Sequence, residues 1–271
     1  MTNHRSFLLI AGISFLLLVS LSIALCVYVD PYRMYGTERV PNKPSIYNRE
    51  ALAKAYLIER IRPGTLILGN AQTESGLDPE SQDWPDDDRP VLNAASQGGD
   101  VFMSWRLLQH DIAVKPPQLV VVGLDFLDFV KPDADSKYVA LRGDERRLLV
   151  DRSAKPNASR SIQLWRDFFD TTLTRQAILD SIETLRQRGR PAVTTMTELG
   201  FDPARDYETA VHETGIEAIF LRSDEIYRAQ YRSLYPSLFY NPSRNLQFRS
   251  LEAMIDLAKR NDFRLMLFIP P

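Results

Sequence analysis

Thr65-Leu66-Ile67-Leu68-Gly69-Asn70 and Gln118-Leu119-Val120-Val121-Val122-Gly123 are two short stretches in which apolar residues run unbroken to a closing glycine. A strand with one wet face alternates apolar and polar positions. A run apolar at every position suits a strand covered on both faces, as in a parallel sheet packed between helices. Arg264-Leu265-Met266-Leu267-Phe268-Ile269 is a third stretch of this kind. Each follows a segment of helical periodicity. Ser45 is placed to cap a helix reaching about residue 61, with Leu52, Ala55, Tyr56 and Ile58 recurring at helical spacing until Pro63-Gly64 stops it. Residues 100–113 and 246–260 read as two more helices, the latter burying Leu251, Met254, Ile255 and Ala258. This alternation predicts an α/β fold: a doubly wound, mainly parallel sheet with helices packed on either side.

Between about residues 131 and 243 the strand signals fade. Charged helical patterns at 162–187 and 223–238 take their place, which predicts a helical insertion after the second strong strand. About 240 residues follow the first 29, enough for one large domain with a buried core. The domain is therefore expected over 45–271, with a Pro-rich juxtamembrane linker at 30–44 containing Asp30-Pro31-Tyr32-Arg33-Met34-Tyr35-Gly36 and Pro41-Asn42-Lys43-Pro44.

Residues 7–29, FLLIAGISFLLLVSLSIALCVYV, contain no charged side chain. At about 1.5 Å per residue the run is roughly 34 Å long, enough to cross the hydrocarbon core. Ser22-Ile23-Ala24 loosely matches a signal-peptidase site. The apolar run, however, exceeds the roughly 7–15 residues of a cleaved signal, so an uncleaved transmembrane anchor is expected, with residues 1–6 as a cytoplasmic tip. Bulky Leu25 before Cys26 disfavours a lipoprotein site. Arg5 on one side and Arg33, Arg39 and Lys43 on the other leave orientation undecided by flanking charge.

Lys and Arg total 33 against 35 Asp and Glu, and they are dispersed, so the basic stripe that nucleic-acid binding needs is missing and nucleic acid is not an expected partner. Cys26 is the only cysteine, which excludes an intrachain disulfide and a cysteine-based metal site. No cofactor is expected.

In doubly wound sheets ligands bind beyond the carboxyl ends of the strands. The residues there are Gly69-Asn70-Ala71-Gln72, Asn93 through Gly98 and Gly99, and Gly123-Leu124-Asp125-Phe126. LILGNAQTESGLDP at 66–79 resembles the first block of SGNH/GDSL-type hydrolases, in which a strand ends in Gly-Asp/Asn-Ser and the serine is the nucleophile. NAASQGGD at 93–100 is similar to the block supplying an oxyanion-hole glycine, and VVVGLDFLDF at 120–129 resembles the Gly-x-Asn block. With the apolar anchor and the DPYRMYG segment, residues 30–130 resemble the membrane-tethered SGNH-like proteins of bacterial exopolysaccharide clusters. Relatives of that group act in O-acetylation or deacetylation of glycans and in D-alanyl transfer. The resemblance implies an inner-membrane protein with its domain outside the cytoplasm, and polysaccharide and envelope glycan-modification proteins as partners.

Such a site needs a serine activated by a histidine, with N–H donors holding the oxyanion. Carried over residue by residue, the resemblance puts Ala71 at the nucleophile position and Asp125 at the oxyanion-hole amide position, while Gly69, Asn70, Asn93, Gly98, Gly99 and Gly123 line the pocket. The family's closing Asp-x-x-His would come after Ile269-Pro270-Pro271, so the sequence reads either as a degenerate member or as part of a longer form. Ser75 lies one helical turn past Ala71, outside the strained turn that aims a nucleophile. His110 and His212 are the only histidines past the anchor and read as surface or helix-end residues. The expectation is a catalytically degenerate protein. An active glycan O-acetyl esterase or O-acyltransferase and a non-enzymatic glycan-binding scaffold are the alternatives.

Tyr227, Tyr231, Tyr235 and Phe239 recur every fourth residue with Arg228 and Arg232 beside them, a stripe that could stack on sugar rings but more often packs on a core. Asp86-Asp87-Asp88 between Pro85 and Pro90 reads as a solvated loop, His212-Glu213 lacks the second histidine of a zinc helix, and residues 186–190 read as ordinary helix-end charge. No metal is expected.

Overall fold

A computed structural model describes residues 2–37, 39–40, 43, 49–130, 145–187, 196–234 and 245–270. Helix α1 spans Thr2–Val29 and α2 Glu50–Ile61; strand β1 (Thr65–Leu68) is followed by the short helix α3 (Ala71–Gly76). Strand β2 (Val91–Asn93) leads to α4 (Val101–Val114), and β3 (Leu119–Gly123) to α5 (Phe126–Val130). Helices α6 (Arg160–Thr172), α7 (Arg175–Arg186), α8 (Arg205–Thr214) and α9 (Ile216–Leu234) come next, then α10 (Leu246–Asn261) and β4 (Arg264–Phe268).

The four strands form one parallel sheet in the order β2-β1-β3-β4. In its register Leu66 lies beside Leu92 on one flank and Val120 on the other, and Val120 beside Leu265. Side chains alternate along each strand, so the sheet builds two cores. Leu66, Leu68, Leu92, Val120 and Val122 join Leu57 and Ile58 of α2, Leu107 and Leu108 of α4, and Met254 of α10. On the opposite face Ile67, Val91, Leu119 and Val121 gather a smaller cluster with Leu77, Trp84 and Phe268. The all-apolar runs of β1 and β3 are buried at every position, as their composition predicts.

The third run departs from that expectation. It is a strand, but it stands at the end of the sheet order, with Met266 55% and Leu267 40% exposed. Its composition fits two-sided cover, and its position provides less.

Side-chain caps set several helix starts. Asp100 accepts from the Met103 amide at 2.8 Å to open α4, and Asn245 accepts from the amides of Gln247 and Phe248 to open α10. Thr174 accepts from Ala177 N at 3.1 Å and thereby breaks the single helix expected over 162–187 into α6 and α7. The helix expected from 223 begins earlier, at Ile216, and positions 235–238 lie outside the described residues, as does Ser45.

Within the stretch read as a juxtamembrane linker, Tyr32, Arg33, Val40 and Lys43 are buried, while Arg39 is exposed. Asp30 Oδ2 accepts from Tyr35 N (3.1 Å) and Thr37 N (3.2 Å), Lys43 Nζ lies 3.7 Å from the same oxygen, and Tyr32 Oη donates to Asp180 Oδ2 at 2.6 Å. Arg33 donates to the carbonyl of Met196. The described part of the insertion is likewise tied to the sheet domain through α2. Asp167, fully buried, accepts from both Arg147 Nε (2.8 Å) and Nη2 (2.9 Å) and from Tyr56 Oη (3.1 Å), while Arg160 pairs with Glu59 at 2.7 Å.

Candidate functional site

The chain moves from β1 to β2 on one side and then returns past β1 to β3, so the strand order reverses between β1 and β3. At such a reversal the loops leave in opposite directions and open a crevice beyond the carboxyl ends of the strands. The two loops there begin at Gly69 and Gly123.

Backbone packing is tight at this point. Gly69 has φ +146° and Gly123 lies against it; a Cβ on Gly69 would sit 3.0 Å from Gly123 O, and one on Gly99 would sit 2.3 Å from Gly69 O. Ser96 N donates to Gly69 O at 3.2 Å, which holds the 96–99 turn against the end of β1. Gly98, with φ +71°, faces open space at the tip of that turn. Thus Gly69, Gly99 and Gly123 meet, because each permits a close approach that a side chain would block.

Asn70 follows Gly69 and caps α3, its Oδ1 accepting from Gln72 N (3.1 Å) and Thr73 N (3.3 Å). Its Nδ2 reaches across the reversal to Asp125 Oδ2 at 3.5 Å, while Asp125 Oδ1 accepts from Leu127 N at 2.9 Å. Asp125 therefore works as an acceptor from both sides, where an oxyanion hole needs a donor. Ala71 is the first residue of α3 and is exposed at the crevice, carrying only a methyl. Ser75 is exposed on α3, and Thr73 Oγ1 is buried without a hydrogen-bond partner among the described residues.

Asn93 needs a different role from the pocket lining assigned by the resemblance. It is fully buried; its Nδ2 faces three carbonyls, Thr73 (3.2 Å), Glu74 (3.0 Å) and Leu77 (2.9 Å), and its Oδ1 accepts from Ala95 N at 3.1 Å. With these polar atoms committed to α3 and its own loop, Asn93 holds the crevice wall in place.

Behind that wall lies a pair that sequence reasoning missed. Lys54 of α2 and Glu74 of α3 approach to 2.9 Å with both side chains sealed from solvent, and Lys54 also donates to the carbonyls of Asn93 (2.9 Å) and Gly200. Burial pushes the Glu74 carboxyl up to about 7 against the opposing pull of Lys54. A lysine between apolar helical positions reads as solvent-facing; α3, the end of β2 and the 196–201 segment folding over it enclose this one. Asn93 N donates to Leu199 O at 2.9 Å in that contact.

Neither histidine reaches the crevice. α4 starts at the strand ends and runs back along the sheet, so His110 lies about 14 Å from its start. There Nε2 meets Ala55 O at 3.1 Å and Nδ1 accepts from Leu149 N at 3.0 Å. The acceptor role of Nδ1 makes Nε2 the protonated nitrogen, and burial lowers the pKa. His110 is a core histidine rather than the surface residue its sequence context predicts. His212 is exposed on α8.

The remaining candidates separate clearly. Tyr227 and Tyr231 of α9 are each 56% exposed, contrary to the core-facing reading, and with Arg228 and Arg232 they line a shallow depression of about 330 Å³; Tyr235 and Phe239 lie outside the described residues. Asp88, expected to be solvated, is buried and pairs with Arg264, whereas Asp86 is exposed. Among the described residues no cluster of His, Cys, Asp and Glu could hold a metal ion. A comparison with family models, curated proteins and solved structures finds no match to this chain.

Proposed function

We propose that this chain is a membrane-anchored, SGNH-hydrolase-like protein of a bacterial cell envelope that serves polysaccharide modification or export without hydrolysing esters itself. The observation that carries the reading is Ala71, exposed at the start of α3 where β1 ends at the strand-order reversal. A nucleophile would stand there, and alanine offers none. Asp125, an acceptor from Asn70 and Leu127 where an oxyanion hole needs a donor, fits the same reading.

The anchor reading is supported by His4–Val29, a helix long and apolar enough to cross a membrane, with mean hydropathy 2.7. In this reading α1 crosses the inner membrane and the domain stands on its outer side. The exposed Tyr227 and Tyr231 beside Arg228 and Arg232 favour a glycan as the partner, since aromatic faces stack on sugar rings and guanidinium groups hold acidic ones.

The detergent-solubilised chain tests this directly. With an acetylated acidic polysaccharide as probe, binding without release of acetate is expected. Steady serine-dependent acetate release would overturn the reading in favour of an active esterase. Binding unchanged in a Tyr227→Ala, Tyr231→Ala double variant would remove α9 as the contact surface.

A further inference from the structure

The apolar helix α1 is held by the domain over its last two turns, from Ser22 to Val29. Between Arg5 and Asp30 the helix carries no charge, and a hydrocarbon core of about 30 Å takes up roughly 20 of those residues. A span that begins no earlier than Ser6 therefore extends to Leu25 or beyond, which puts Ser22 at or inside the boundary of the hydrocarbon. Ser22 Oγ donates to Thr172 O at 2.7 Å, at the last residue of α6, and Cys26 is buried against Ala177 of α7. The turn between α6 and α7 is thereby drawn to the level of the membrane surface.

The outer face of α6 carries apolar and aromatic side chains with the exposed Asp170 at its edge, and that of α7 adds Leu179 between the exposed Gln176 and Glu183. Ile162 (61%), Trp165 (65%) and Phe169 (49%) are exposed on α6 at helical spacing, and Leu179 (46%) is exposed on α7. Trp165 and Phe169 are 6.2 Å apart with Phe168 against both. The opposite face, Gln163, Asp167, Thr171 and Thr172, is buried in the domain, so the exposed side is an outward face of a docked helix. Trp165 stands seven residues before Thr172, so whatever the tilt of α6 it lies within roughly 10 Å of the level of the turn, in reach of the headgroup layer. Tryptophan prefers that layer, and the exposed Arg166 and Arg175 flank the face with charges suited to lipid phosphates.

We propose that the α6–α7 hairpin is a second membrane contact, with Ile162, Trp165, Phe169 and Leu179 seated in the interfacial layer of the bilayer that α1 crosses. It rests on the anchor reading above and adds that the domain is fixed against the lipid surface at a set angle. A free linker would leave it swinging.

The test uses the full chain in phosphatidylcholine–phosphatidylglycerol vesicles whose acyl chains carry bromine either just below the headgroup or near the methyl end. In one variant Trp84→Phe and Trp105→Phe leave Trp165 as the only tryptophan; in another, Trp165→Phe and Phe15→Trp move the reporter into α1. The expected result is about a twofold loss of Trp165 emission with the shallow bromines, and quenching of the α1 reporter by the deep ones. Quenching of the α1 reporter with Trp165 unaffected overturns the hairpin contact and leaves the anchor standing. Stronger quenching of Trp165 by the deep bromines also overturns the interfacial placement. If neither is quenched, the anchor falls and the hairpin contact with it. As a check free of the two core substitutions, Trp165→Phe alone should reduce the shallow-quenchable share of the wild-type emission; no reduction counts against the proposal.

Discussion

Lys54 Nζ lies 2.9 Å from Glu74 Oε1, and neither side chain exposes more than 2% of its surface. The pair joins α2 to α3 directly behind the crevice, and its energetics depend on whether Glu74 is ionised. Removing one member of a buried pair leaves the other without compensation, at a cost of about 3 kcal/mol or more. Lys54→Met should therefore destabilise the protein by about that amount at pH 8. At pH 5, below the value of about 7 to which burial raises Glu74, the carboxyl takes a proton and the loss should be smaller. Urea unfolding of the detergent-solubilised variant at the two pH values measures the difference. An equal loss at both would show that the carbonyls of Asn93 and Gly200, and not Glu74, are what Lys54 serves.

Asp111 presents the opposite situation, a buried acid with no counterpart at hydrogen-bond distance among the described residues. Both carboxylate oxygens are without a hydrogen-bond partner among the described residues, and burial raises the pKa to about 8 against a weaker opposing effect of Lys115. The folded state thus binds this proton more tightly than the unfolded state, where the ordinary value is 3.8. Its contribution is fully favourable below that ordinary value, declines as pH rises between the two, and levels off above about 8. Asp111→Asn should gain on the order of 3 kcal/mol at pH 8 and nothing at pH 4. A variant whose stability falls with pH as steeply as the parent's would exclude Asp111 as the source.

The meeting of loops at the strand-order reversal makes a steric prediction. A Cβ on Gly123 would lie 1.9 Å from Thr73 Oγ1, and that hydroxyl has no hydrogen-bond partner among the described residues. Gly123→Ala should cost about 1–3 kcal/mol as overpacking. Thr73→Ala removes the obstructing oxygen and a buried polar atom that gains nothing from its surroundings, so it should be close to neutral. The double variant should recover most of the loss, and a thermal-melting double-mutant cycle reads the coupling. Additive effects would mean the loops separate to admit the methyl group.

How far this could be read from the sequence depends on what each residue's neighbours supply. β1 and β3 were legible because composition alone requires cover on both faces, and their closing glycines mark where the loops begin. β2 was not, since Val91-Leu92-Asn93 is too short to show a period and becomes a strand only through its register with β1. The cover of β4 is a property of sheet position, which composition does not encode. At the site, the sequence placed Gly69 and Gly123 at the strand ends, and their close approach came only from the fold. The duties of Asn93, Lys54 and His110 were hidden, because each follows from a distant segment, 73–77, 196–201 or 145–150, folding onto it. The break at Leu173 was partly visible in Thr174, a good cap inside an otherwise continuous pattern.

Ala71→Ser restores the hydroxyl that the resemblance places at the end of β1, and it isolates what else hydrolysis would need. Ala71 is exposed and Asn70 already caps α3, so the substitution should shift stability by no more than about 0.5 kcal/mol. A serine hydroxyl becomes a useful nucleophile only with a base within hydrogen-bond reach. His110 is excluded by its position and by its two hydrogen bonds to Ala55 O and Leu149 N, and Asp125 already accepts from Asn70 and Leu127. The variant should therefore hydrolyse p-nitrophenyl acetate no faster than the parent chain. A rate about tenfold higher, abolished by a serine-directed fluorophosphonate, would mean that a base reaches position 71 and that the crevice lacks only its nucleophile.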